Sequence, residues 1–117
     1  MNVVGILHGK GGVGKSTIAV NLARALQLRG LEPVIVDCDA QSTAQSWRTS
    51  RGDDEKLPPV FSVEQSSALE TDVQRLSDSF DIAIIDGGAR LNESHSEIVE
   101  TSDLVLLPVQ PSPADIW

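Results

Sequence analysis

With 117 residues, 40% of them hydrophobic and 22% charged, the chain has the size and balance of one soluble globular domain, and full disorder is excluded. Its one cysteine, Cys38, rules out an intrachain disulfide and a cysteine-only metal cage, and fits a reducing compartment. Nine Lys and Arg against seventeen Asp and Glu give a formal net charge of −8, which repels nucleic-acid phosphates and disfavours DNA or RNA binding by this segment alone.

The amino terminus, MNVVGIL, lacks the basic start and long apolar stretch of a secretory signal, and no apolar run has the length of a membrane span. A cytoplasmic location without membrane association is therefore expected. Val3–Leu7 opens the chain as a first β-strand. After a glycine-rich stretch, Ile18, Leu22, Ala25 and Leu26 fall at helical spacing and predict a helix from Ser16 to Arg29, with Gly30 as its left-handed stop. Pro33–Val36 is the second strand. Gln41 to Ser50 reads as a short helix or an ordered loop, and Arg51 to Lys56 (RGDDEK) as a solvated connector. Pro59–Val63 is the third strand. Leu69, Val73, Leu76 and Phe80 then repeat at helical period behind a capping box of Ser67 and Glu70. Ile82–Ile85 is the fourth strand, Ser94 to Thr101 a weaker helix, and Leu104–Leu107 the fifth strand.

These apolar runs are too short for ordinary helices and too continuous for strands with one wet face. Strands alternating with helices predict an α/β fold, a doubly wound and mainly parallel sheet flanked by helices, whose ligands bind at the carboxyl ends of the strands. His8-Gly9-Lys10, Asp37-Cys38-Asp39, Asp86-Gly87-Gly88 and Gln110-Pro111-Ser112 follow the first, second, fourth and fifth strands. Acidic and glycine-rich groups thus converge at one end of the sheet. Aromatic side chains are limited to Trp47, Phe61, Phe80 and Trp117, so base-stacking platforms have little material. His8 and His95 read as isolated surface or crevice residues, and Cys38 as a small packed hydrophobe.

Gly9-Lys10-Gly11-Gly12-Val13-Gly14-Lys15-Ser16-Thr17 contains the Walker A pattern between a predicted strand and a predicted helix. A triphosphate must be met by many backbone N–H groups at close range, which side chains would block, and the start of the following helix adds its positive dipole end. Lys15 is expected to reach the β- and γ-phosphates, and the Ser16 hydroxyl to ligate Mg²⁺. Asp86, closing the run Ile82-Ala83-Ile84-Ile85, has the Walker B arrangement and is expected to serve the metal. Asp37 and Asp39 end the second strand together. A buried pair of like charges is costly, so a bound cation or a water network is the natural reason to keep both, unless one of them caps the next segment.

Lys10 is a second lysine within the loop. The blocks KGGVGKST, DCDAQ, FDIAIIDGG and DLVLLPVQPSPAD, in this order along essentially the whole chain, resemble the ParA/MinD family of deviant Walker A ATPases, in particular the small ParA-type plasmid partition ATPases of the ParF-like branch. The resemblance implies a P-loop NTPase that binds ATP or ADP with Mg²⁺ and forms an ATP-dependent homodimer. Lys10 would reach the partner subunit's phosphates, Asp39 would position the attacking water and organise the Mg²⁺ shell beside Asp86, and Asp37 matches the first Asp of the same motif. Gly87 and Gly88 would form a switch that feels the γ-phosphate. Ala40 departs from the proline that many relatives carry. The family's carboxyl-terminal half supplies adenine contacts and a surface for nonspecific DNA, and a centromere-binding adaptor stimulates turnover. Residues 1–117 are therefore expected to form a single P-loop NTPase domain, incomplete at its carboxyl end, where Pro113–Trp117 begins another helix. The full-length protein would be a partition switch associated with the nucleoid. MinD-like division-site placement, a P-loop biosynthetic ligase and a fragment that binds nucleotide without turnover are the rival readings.

Overall fold

A computed structural model of the chain describes residues 1–7, 15–38, 57–63, 69–87 and 93–107. Five strands, β1 (Asn2–Ile6), β2 (Pro33–Asp37), β3 (Val60–Ser62), β4 (Ile82–Asp86) and β5 (Leu104–Leu106), lie in one sheet of order β3-β2-β4-β1-β5. Every pairing is parallel. Three helices accompany them among the described residues: α1 (Lys15–Leu28), α2 (Leu69–Leu76) and α3 (Glu93–Thr101). This is the α/β sheet that the alternation of runs predicts.

Side chains alternate between the two faces of each strand, and both faces are used. Ile6, Ile35 and Ile84 meet Ala19, Val20 and Ala23 of α1 on one face. Val3, Leu7, Val34, Val36, Ala83 and Ile85 meet Leu69 and Val73 of α2 and Ile98 of α3 on the other. Coverage is complete over the centre, where every residue of β2 is buried. It lapses at the edges, where Phe61 of β3 and Leu104 of β5 are 39% and 55% exposed. Each edge strand has a neighbour on one side only in this sheet.

Helix α1 ends as its sequence requires. Gly30 has φ 89°, its N–H donates to Gln27 O at 2.9 Å, and Leu31 N–H donates to Leu26 O at 3.1 Å, the paired bonds of a Schellman stop. Helix α2 is shorter than its periodicity predicts. It stops at Leu76, where the Ser77 hydroxyl donates to Gln74 O at 2.6 Å, a local bond that competes with helix continuation. Phe80 reaches the core from the following turn, its N–H bonded to Leu76 O at 3.2 Å. The capping residue Ser67, the Gln41–Ser50 segment and the Arg51–Lys56 connector lie outside the described residues.

Two aspartates pin the amino ends of the strands. The Asp81 carboxylate accepts the Glu32 N–H at 2.8 Å while Asp81 N–H donates to Glu32 O at 2.8 Å. Asp103 repeats this with Val3, accepting its N–H at 2.8 Å and donating to its carbonyl at 2.7 Å. No helix among the described residues is long and apolar enough to cross a membrane.

Candidate functional site

Parallel pairing in this register brings the last residues of all five strands into one row: Ser62, Asp37, Asp86, Ile6 and Leu106. The ladder continues one step beyond it. Val63 N–H bonds to Asp37 O at 3.0 Å, Cys38 N–H to Asp86 O at 2.9 Å, Gly87 N–H to Ile6 O at 3.0 Å and Leu7 N–H to Leu106 O at 3.0 Å. The carboxyl edge is therefore a fixed frame.

At its centre Asp37 and Asp86 are direct neighbours on β2 and β4, 2% and 0% exposed. Strand parity places both with Ile35 and Ile84 on the α1 side. Two carboxylates held together away from water are hard, negatively charged oxygen donors of the kind that suits Mg²⁺. Sequence reasoning named Ser16, Asp39 and Asp86 for the metal and paired Asp37 with Asp39 around a cation or water network; the register also sets Asp37 beside Asp86. The missed signal was parity: Asp37 and Asp86 each stand two residues beyond a core isoleucine on the face that receives α1.

Lys15, Ser16 and Thr17 form the first turn of α1, which contains no acidic side chain; the N–H groups and positive dipole end of a helix start are the kind of group that suits an anion. Ala19 and Val20, one turn on, pack against the same strand layer as Ile6 and Ile84. The rest of the phosphate loop, Gly9, Lys10, Gly11, Gly12, Val13 and Gly14, lies outside the described residues, as do Asp39, Gly88 and His8. His95 falls within α3.

Gly87 is confined. A Cβ there would lie 2.8 Å from Ile6 O and 3.0 Å from both Ile98 Cδ1 and Leu7 Cδ2, so the chain leaving Asp86 touches β1 and α3 directly. Cys38 points the other way, half-buried against the α2 and α3 core as a small hydrophobe should be. Burial, reinforced by the negative charges of Asp37 and Asp86 and then of Glu97 and Asp72, pushes its thiol up to about 12.

Residues 4–109 match the family described as CobQ/CobB/MinD/ParA nucleotide binding domain. The chain is 31% identical over 115 residues to protein ParA of Rhizobium radiobacter, covering 98% of this chain and 51% of that one. It is 34% identical over 115 residues to the maintenance of carboxysome distribution protein A of Gloeobacter kilaueensis, covering 97% and 51%. The chain thus spans about half the length of these curated relatives. Its fold superposes with a TM-score of 0.77 on cobyrinic acid a,c-diamide synthase from Mycobacterium smegmatis, solved with a bound ATP analog and magnesium, at 19% identity over 93% of this chain and 58% of that one. With the phosphate-loop motif, the row of strand ends and a family match across most of its length, the chain belongs to the CobQ/CobB/MinD/ParA nucleotide-binding domain family.

Proposed function

We propose that this chain is the nucleotide-binding part of a Mg²⁺-dependent ATPase switch that partitions or positions a cellular cargo, in the first place a replicon. One observation carries the reading: the buried Asp37 and Asp86 pair, in register beside the end of β1, where the sequence GKGGVGKST leads into α1. The donor set fits hard-cation chemistry, and the first turn of α1 fits a phosphate.

In this reading the loop amides of residues 9–14 and the amino end of α1 bind the phosphates, and Lys15 neutralises the β- and γ-oxygens. Ser16, Asp86 and Asp39 hold Mg²⁺, and Asp37 keeps the neighbouring edge of the site negative. The metal, when bound, withdraws charge from the phosphate oxygens and fixes their orientation. Asp39 orients the attacking water. Lys10 reaches the partner subunit's phosphates in an ATP-dependent homodimer, so that hydrolysis follows assembly, as when an arginine finger arrives in trans. A centromere-binding adaptor would stimulate turnover, and nonspecific DNA would be bound by regions beyond this chain, giving a cytoplasmic, nucleoid-associated protein. The likeness to a relative named for carboxysome distribution supports cargo positioning as the wider class.

Calorimetric titration with Mg-ATP tests the site. Lys15→Ala is expected to weaken binding by about 100-fold or more, the worth of a lost charge-assisted phosphate contact. Lys10→Ala should leave that affinity in place and remove dimer-dependent hydrolysis. Unchanged affinity in the Lys15 variant overturns the assignment.

A further inference from the structure

We propose that the amino end of the sheet is an interface between copies of this chain, where a groove receives Leu28 of a second copy in a two-fold dimer that forms without nucleotide. Between the carboxyl end of α1 and the amino ends of the strands lies an open groove of about 540 Å³, walled by Arg24, Leu31, Leu57, Pro59 and Phe80 over the buried Pro33. A cavity of about 150 Å³ already holds a benzene-sized group, so the groove has room for more than one apolar side chain. Leu28 stands beside it, four residues after Arg24 and therefore next to it on the surface of α1. At 73% exposure it is the barest large hydrophobic side chain among the described residues, and Leu31 in the groove wall is exposed as well. An apolar knob and a hollow that could take it thus lie side by side.

The charges of the patch are arranged in the same way. Helix α1 carries no acidic side chain, and Arg24 and the exposed Arg29 make its carboxyl end cationic. Glu32 and Asp81, both exposed, follow across the chain reversal, where the Asp81 carboxylate accepts the Glu32 N–H at 2.8 Å. A surface that holds both signs beside both a knob and a hollow is complementary to itself. A two-fold axis is the symmetry that uses this, since residue i then meets j while j meets i. Leu28 of each copy enters the groove of the other, and Arg29 of each faces Glu32 of the other. A partner segment of one sign would leave like charges opposed. The contact lies at the opposite end of the sheet from Asp37 and Asp86, so it neither needs nor covers those strand ends.

Sedimentation velocity of the 117-residue chain without nucleotide or Mg²⁺, from about 1 μM to about 1 mM, tests this. The mass should rise across that range from that of the 12.5 kDa chain toward twice it. Leu28→Glu should raise the dissociation constant by about 30-fold or more, the effect of replacing a buried anchor by a charge. Arg29→Glu and Glu32→Arg should each raise it by about fivefold or more. Together they should return it to within about threefold of wild type, because reversing both signs restores every pair. All three side chains are exposed, so these variants keep the fold. Val99→Glu, on the exposed face of α3, should leave the constant unchanged. A wild type that stays monomeric to about 1 mM overturns the proposal, as does a dimer that forms only with Mg-ATP. A dimer indifferent to Leu28→Glu, or one that the double reversal does not restore, overturns it as well.

Discussion

The two ends of the sheet use the same residue type for opposite purposes. At the amino end, Asp81 and Asp103 are exposed, and each carboxylate accepts a backbone N–H of the neighbouring segment at 2.8 Å. At the carboxyl end, Asp37 and Asp86 are buried next to each other in register. The first arrangement explains itself, because a carboxylate that satisfies a backbone donor while its own N–H bonds the paired carbonyl fixes strand register. The second brings like charges together, an arrangement that is costly to fold unless it is compensated, and under the proposed function Mg²⁺ is part of that compensation. Aspartates at the two ends of the strands thus differ by burial and by what stands beside them.

Exchanging charge for amide should break the comparison most visibly at Asp86. Asp86→Asn is expected to lower Mg-ATP affinity by about 100-fold, close to 3 kcal/mol, and to erase the difference between titrations with and without Mg²⁺. Gly87→Ala comes next, because its methyl would press on Ile6 O and Ile98. Denaturant unfolding should show a loss of about 2 kcal/mol. Asp103→Ala should cost about 1 kcal/mol by the same measurement, with Mg-ATP affinity unchanged, since that carboxylate serves only the backbone. A large affinity loss in this variant would erase the distinction between the two ends.

Cys38 gives the smallest effect at neutral pH. Its thiol is pushed up to about 12 from 9.0, so the folded chain holds the proton more tightly than the unfolded one. The stability this contributes is fully present below about pH 9 and is lost as pH rises toward 12. Unfolding midpoints measured at pH 8 and pH 10.5 should therefore fall further apart in wild type than in Cys38→Ala. Alkylation of the native thiol by iodoacetamide should be slow at pH 8, for want of thiolate.

Much of this was legible from the chain. The five apolar runs located the five strands, because strands buried on both faces must be apolar throughout, and Gly30 located the end of α1, because the stop needs a positive φ. The extent of α2 was not legible: Leu76 and Phe80 share a helical period, but Ser77 takes the Gln74 carbonyl and ends the helix between them. The partnership of Asp37 with Asp86 was also hidden. Strand order and register decide it, and both are properties of the assembled sheet rather than of either run.

Amide chemical shifts recorded during a Mg-ATP titration test the central claim most directly. The account predicts changes concentrated at Ile6, Leu7, Lys15, Ser16, Asp37, Cys38, Asp86 and Gly87, with Glu32, Asp81 and Asp103 unmoved. An absence of shifts at the carboxyl edge, or their concentration at the amino edge, would contradict it.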